Sequence, residues 1–266
     1  MKDALGDRMK RYEANADIRL VRRTPVIIRI DGKAFHTFTK KFDKPFDQVF
    51  MKAMFGTALT LCENIQGCRL GYTQSDEISL LLTDYEKLNT DPWFDNRIQK
   101  MCSIAASIAT LAFNRAFERA VREISGEYPA EKVATYKRSI AMGGIFDARA
   151  YNVPKDDVTN YFLWRQNDAT RNSILGVGQS EFTRKRLMNK SCDEIQEMLF
   201  LEKGINWNDY DTPLKRGVCI RKVGKEVNGT VRNFWEIDYD IPIFRGEGRE
   251  YVEQLVFPNI DENGRE

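Results

Sequence analysis

The sequence predicts an α+β fold of βαββαβ order, a split βαβ or ferredoxin-like sheet covered by two helices, followed by a helical and β-hairpin extension. Three observations predict it. Aliphatic, β-branched runs at 26–30, 69–73 and 78–82 read as strands. Apolar residues recur at three- and four-residue spacing after Asp47 and again over about 95–124, as on amphipathic helices. A further strand near 140–149 closes the set.

Each element follows from its residues. Val26-Ile27-Ile28-Arg29-Ile30 ends at Asp31-Gly32, a strand running into a turn. Pro45 and Asp47 then open a helix in which Val49, Phe50, Ala53, Met54, Ala58, Leu61, Cys62 and Ile65 form one buried face. Arg69 to Thr73 and Ile78 to Leu82 are strands joined by the polar turn Gln74-Ser75-Asp76-Glu77, which makes a hairpin. The long helix is expected to turn Ile98, Met101, Ile104, Ala105, Ile108, Leu111 and Ala112 inward. The pattern changes near residue 137, giving regions 1–137 and 138–266, the second packed on the first. Within the second region, 156–175 and 180–201 read as helices, and 216–223 and 231–240 as strands joined through 225–229. The N-terminal twenty residues are charged and helical in pattern.

Composition narrows the chemistry. The 266 residues are 42% hydrophobic and 30% charged, with 41 basic against 39 acidic side chains. No apolar run reaches the roughly 18 residues of a membrane span. The N-terminus lacks the apolar stretch of a secretory signal, so a cytoplasmic protein is expected. Five cysteines form no C-x-x-C pair and read as reduced thiols. His36 is the single histidine, which disfavours a zinc site and most histidine-based catalysis. Carboxylates remain as the natural carriers of chemistry.

The expected topology sets the end of the first strand beside the hairpin, and so brings Asp31 toward Asp76 and Glu77. Phosphoryl and nucleotidyl transfer depend on positioning and charge neutralisation, which two magnesium ions about 3.5–4 Å apart supply when carboxylates hold them. Asp31 and Asp76 are candidate ligands, with the Gly32 carbonyl as a third oxygen. Asp-Gly is also a common turn dipeptide, and both readings stand on these residues alone. Gly32-Lys33-Ala34-Phe35-His36 follows a strand directly, where backbone N–H groups form anion-binding nests. Lys40, Lys41 and Lys44, and Arg97 and Lys100 at the start of the long helix, are placed to meet a triphosphate. His36 reads equally as a structural, hydrogen-bonded residue.

At these residues the sequence resembles the tRNA-His guanylyltransferase family and its bacterial and archaeal 3′–5′ polymerase relatives. The resemblance rests on Arg29 through His36, Phe42 through Asp47, and Gly71-Tyr72-Thr73-Gln74-Ser75-Asp76-Glu77-Ile78-Ser79. It continues through Phe146-Asp147-Ala148-Arg149, Tyr161 through Asp168, and Lys215-Arg216-Gly217. It implies a polymerase-like palm as the catalytic region and extension of tRNA at its 5′ end after activation of the 5′-phosphate with ATP. It further implies ATP and GTP as substrates, magnesium, and a homotetramer. Carried over by motif, Asp31, Gly32 and Asp76 are the metal ligands and Glu77 a supporting carboxylate. Gly32 to His36 and Ser75 form the nucleotide cradle, with Lys44, Asp47, Arg97 and Lys100 as phosphate or supporting contacts. Where the eukaryotic enzymes carry His-Ile-Asn-Asn, this chain has Thr170-Arg171-Asn172-Ser173. That departure points to the bacterial type, which repairs 5′-truncated tRNAs by templated addition. The alternatives are guanylate addition confined to tRNA-His, a palm-type nucleotide cyclase, and an inert RNA-binding module.

Overall fold

One antiparallel sheet organises the computed structural model, which describes residues 4–124 and 126–257. Its strands are β1 (Val26–Gly32), β2 (Cys68–Gln74), β3 (Glu77–Leu82), β4 (Phe146–Asn152), β5 (Val218–Val227) and β6 (Thr230–Asp238). They lie in the order β4-β1-β3-β2-β5-β6. The first four strands in sequence occupy the split βαβ positions the pattern predicts.

Alternation along the strands divides the core between two faces. Ile28, Ile30, Ile78 and Leu80 pack under α3 (Gln48–Asn64) and α4 (Ile98–Ile124). Ile27, Leu81, Leu70 and Tyr72 pack under α6 (Lys155–Glu181) and α10 (Glu250–Val256). Covered on both sides, β3 is buried at all six positions. Its polar Ser79 is accommodated by a 2.7 Å hydrogen bond with the Tyr161 hydroxyl of α6.

All eight residues expected on the buried face of α3 are buried. The face of α4 differs: Met101 and Ala105 are buried, but Ile104 and Leu111 are exposed and Ile98, Ile108 and Ala112 are half-buried. The buried stripe runs instead through Ala109, Phe113, Phe117, Ala120 and Val121. Small alanines let α4 approach the sheet, and the two phenylalanines join Phe35, Phe38 and Phe42 in an aromatic cluster.

An unexpected helix, α5 (Ala130–Met142), takes the first residues of the strand expected at 140–149. Pro129 caps its start, and Gly143 (φ 73°) ends it, so β4 begins only at Phe146. The helix expected over 180–201 is divided: α6 continues to Glu181, and α7 (Arg184–Leu187) and α8 (Cys192–Lys203) follow. A capping box between Ser191 and Glu194 starts α8. A short α2 (Phe35–Phe38), an N-terminal α1 (Ala4–Ala14) with no buried residue, and α9 (Thr212–Arg216) complete the helices used below.

The β5–β6 hairpin turns tightly at Asn228-Gly229, both with positive φ, so 225–227 belong to the ladder and not to a linker. It joins the sheet through only three register pairs, Thr73↔Val218, Tyr72↔Cys219 and Gly71↔Ile220. Beyond them it continues as a two-stranded ribbon. The pattern change near residue 137 falls inside α5, and three strands from beyond it share the sheet. Residues 1–3 of the N-terminal stretch expected to be helical, and 258–266 of the expected C-terminal region, lie outside the described residues.

Candidate active site

Asp31 and Asp76 are brought together at one end of the sheet. Asp31 is next to last in β1 and stands opposite Glu77 in the β1–β3 ladder. Asp76 occupies the two-residue β2–β3 turn, in which Ser75 takes φ 50°. The Gly32 N–H donates to the Asp76 carbonyl at 3.1 Å, which ties the turn to the end of β1. Ser75 Oγ donates to Asp76 Oδ1 at 3.1 Å. Burial pushes the Asp76 carboxyl above its ordinary range, against the pull of its hydrogen bonds, and the Asp31 carboxylate adds to the rise. His36 is near enough to lower it slightly.

Glu77 is held differently. Its Oε1 lies 2.9 Å from Arg165 Nε and its Oε2 lies 3.4 Å from Arg29 Nε. Burial raises its pKa, and Arg165 and then Arg29 oppose the rise. With an arginine at each oxygen, Glu77 is more heavily paired than Asp31, which Arg29 Nη2 approaches at 3.5 Å, or Asp76, which accepts from Ser75. Among the described residues no group of three or more His, Cys, Asp and Glu side chains has metal-holding geometry, so a cation here would rely on few carboxylates plus backbone and substrate oxygens.

The segment after Asp31 is partly committed to the fold. A Cβ on Gly32 would lie 2.5 Å from Phe35 Cδ2, so the glycine makes room for that ring. Phe35 is 3% exposed and packs on Phe38, Phe50, Phe113 and Phe146; its side chain belongs to the core. Lys33 donates its N–H to the Ile145 carbonyl at 2.8 Å. With the Gly32 N–H also engaged, the expected nest loses two donors. The amides of Ala34, Phe35 and His36 make no backbone hydrogen bond among the described residues. Ala34 adopts φ 57° to start α2. His36 is exposed, its Nε2 3.1 Å from Thr37 Oγ1.

A cavity of about 190 Å³ opens beside the β2–β3 turn. Lys44, Gln74, Ser75 and Asn172 give it polar walls, and Phe46 and Met54 apolar ones. Asp47 also borders it, but the fold has claimed its carboxylate. Asp47 caps α3 by accepting from the Phe50 N–H at 2.9 Å, and accepts from the Asp43 N–H at 3.0 Å and the Tyr136 hydroxyl at 2.7 Å. At 5% exposure its side chain is buried among these contacts.

Arg97 and Lys100 are not brought to this end. Phe113 of α4 touches Phe35, ring centroids 5.2 Å apart. Lys100, thirteen residues earlier, is therefore roughly 20 Å away along the helix axis at about 1.5 Å per residue. Arg97 pairs there with Asp17 at 3.2 Å, and Lys100 lies over the Phe94 ring at 5.1 Å.

Sequence reasoning assigned no role to two residues that the structure brings in. Asp147 of β4 stands opposite Asp31, so Asp147, Asp31 and Glu77 form one row across three strands. Arg165 reaches from α6 to Glu77. Both lie in the motif blocks that carry the family resemblance; strand register and helix facing decide their placement.

A family model described as tRNAHis guanylyltransferase matches residues 6–154. The tRNA(His) guanylyltransferase of Debaryomyces hansenii is 30% identical over 211 residues, spanning 74% of this chain and 73% of that protein. Among solved structures, a bacterial tRNA(His) guanylyltransferase-like protein in complex with ATP is similar at TM-score 0.80 and 45% identity, covering 96% of this chain and 100% of that one. Another, in complex with GTP, gives 0.79 and 43% over 96% of this chain and 100% of that one. The Saccharomyces cerevisiae enzyme, at 24% identity and TM-score 0.64 over 85% of this chain and 95% of that one, shares the fold.

Proposed function

The chain belongs to the tRNAHis guanylyltransferase family of nucleotidyltransferases, and from that premise we propose that it adds nucleotides to the 5′ end of tRNA, copying the opposing 3′ strand and so restoring 5′-truncated molecules. The observation that carries the reading is the meeting of Asp31 and Asp76, with the Gly32 N–H bonded to the Asp76 carbonyl at 3.1 Å, beside a cavity bordered by Ser75 and Lys44.

The donor set fits magnesium. Two carboxylates and the Gly32 carbonyl are all-oxygen ligands of the kind that ion takes. Asp76 carries a burial penalty and repulsion from Asp31 that a cation would relieve. When bound, magnesium ions supply neutralisation of the charge on the reacting phosphate oxygens. The chain's own residues place the reactants. The amides of Ala34 to His36 offer donors to a triphosphate, and Lys44 and Ser75 border a cavity suited to a base and sugar. ATP would activate the 5′-phosphate, which displaces pyrophosphate from its α-phosphorus to form an adenylylated end, and the 3′-hydroxyl of an incoming GTP or other nucleotide would then attack the former 5′-phosphorus and expel AMP. Base pairing selects that nucleotide, so the protein need read only RNA shape and phosphates.

Ser173 supports the repair reading over strict tRNA-His specificity. Within the block that departs from the eukaryotic pattern, its hydroxyl donates to the Leu214 carbonyl at 2.7 Å and accepts from Trp207 Nε1 at 3.0 Å. It packs α6 against α9 and is not offered to RNA. We extend the proposal to a homotetramer in the cytoplasm. Exposed Ile104, Leu111, Met142 and Ile145 beside the edge strand β4 give an assembly an apolar strip to cover. No helix among the described residues is long and apolar enough to cross a membrane.

The test incubates tRNAs lacking their first nucleotide with labelled triphosphates and magnesium, and reads growth at the 5′ end. Asp31→Ala and Asp76→Ala should each abolish addition while tRNA binding persists; full activity in either would refute the assignment. Turnover of ATP or GTP without RNA would favour a cyclase, and addition confined to tRNA-His the narrower specificity.

A further inference from the structure

A line of alternating charges crosses from the surface of α6 to the edge of the active centre. Exposed Arg171 pairs with Asp168, and Asp168 Oδ2 lies 2.5 Å from Arg165 Nη2. Arg165 Nε lies 2.9 Å from Glu77 Oε1, and Glu77 Oε2 lies 3.4 Å from Arg29 Nε. Arg29 Nη2 ends the line, 3.5 Å from Asp31 Oδ2. Arg165 is 4% exposed, with its guanidinium carbon 4.1 Å from the Trp164 ring centroid.

Stability is a weak reason for such an arrangement. Taking two charges out of water costs several kcal/mol, and well-packed apolar side chains often do as well. Moreover, the close Arg165–Glu77 contact is not aligned as a hydrogen bond: Arg165 Nε, Arg29 Nε and Glu77 Oε1 have no hydrogen-bond partner among the described residues. What the arrangement does supply is a continuous run of charge contacts: Glu77 faces Arg165 of α6 at one oxygen and Arg29 at the other, and Arg29 reaches the carboxylate proposed to hold the cation.

We propose that Arg165 is a positioning residue: by fixing Glu77 it sets Arg29, and through Arg29 the orientation of the Asp31 carboxylate. The inference rests on Asp31 being a cation ligand. Arg165 is buried and paired with Glu77 and Asp168, and so is placed to act through Glu77 and Arg29. Its loss should therefore weaken cation binding and slow the chemical step, leaving the KM for tRNA unchanged.

The experiment compares the full-length protein with Arg165→Lys, Arg165→Gln and Asp31→Ala. Manganese binding is read by electron paramagnetic resonance without RNA, and kcat and KM for 5′ addition are read separately. Residues that orient metal ligands typically contribute about 10- to 100-fold in metal affinity or activity. Arg165→Gln should show a loss of that order in manganese affinity and kcat, with Arg165→Lys recovering part of it. Arg165→Lys carries the test if Arg165→Gln does not fold. Wild-type manganese affinity and kcat in the folded variants would overturn the inference. So would losses that track thermal stability alone with no recovery by lysine. The underlying reading fails separately, if Asp31→Ala binds manganese as the wild type does.

Discussion

Replacing Asp47 with alanine distinguishes a helix cap from a phosphate contact. The carboxylate accepts from the Phe50 N–H at 2.9 Å and the Asp43 N–H at 3.0 Å, and from the Tyr136 hydroxyl at 2.7 Å. Losing the cap costs about 1 kcal/mol. The Tyr136 hydroxyl is then left buried without its acceptor, a further cost of about 1–3 kcal/mol. Lys132, 3.6 Å from Asp47, keeps its bond to Asp43 at 2.6 Å and adds little. The total is about 2–4 kcal/mol, and at roughly 2–4 °C per kcal/mol for chains of this size the Tm falls by about 4–16 °C. Urea unfolding of Asp47→Ala, Tyr136→Phe and the double variant measures it. The double variant should cost less than the sum of the singles, because both remove one contact. Wild-type stability in Asp47→Ala together with lost triphosphate binding would refute the cap and restore the phosphate role expected from the motif.

Three more outcomes follow from the geometry. Gly32→Ala forces the Phe35 ring aside, since the new Cβ would lie 2.5 Å from it. Overpacking of this kind costs about 1–3 kcal/mol, and adding Phe35→Leu should recover part of the unfolding free energy. Ser173→Ala removes the acceptor of the Trp207 N–H and should cost about 1–3 kcal/mol by chemical denaturation, with 5′ addition per folded molecule unchanged. Glu194 is held at a pKa of about 2, first by its hydrogen bond with Lys190 and then by Ser191. Because the folded value is depressed, this contribution is fully present above the ordinary 4.5 and is lost as pH falls toward 2. A carboxyl-carbon NMR titration should place its midpoint near 2 and show Lys190→Ala moving it upward; a midpoint unmoved from 4.5 would contradict the bonded geometry.

What could be read from the sequence was whatever depends on local pattern. The β-branched run before Asp31-Gly32, the turn at Ser75-Asp76 and the whole buried face of α3 follow from alternation, turn chemistry and helical spacing. The face of α4 followed only at Met101 and Ala105, because hydrophobicity ranks Ile104 and Leu111 above Ala109. Close packing against a sheet prefers the small residue. The helix α5 was hidden by Ile140 and its neighbours, which suit a strand until Gly143 is seen to end a helix. At the site, Asp31 and Asp76 could be paired because strand order fixes which ends adjoin. Arg165, Arg97 and Lys100 could not be placed this way. Their positions depend on how far along a long helix each lies, a distance that motif order does not contain. Asp47 shows the converse, a motif residue spent on starting the helix that carries the core.

The β5–β6 ribbon has a consequence of its own. Past Ile220 its two strands pair, among the described residues, only with each other, and an isolated hairpin is marginal in water. Its free tip can therefore fray without drawing the rest of the molecule with it. Asp31 is insulated by β3 and β2, about 14 Å across the sheet at roughly 4.8 Å per strand. Lengthening or trimming the arm at Asn228-Gly229 would alter how far the protein extends, while its chemistry stayed where it is.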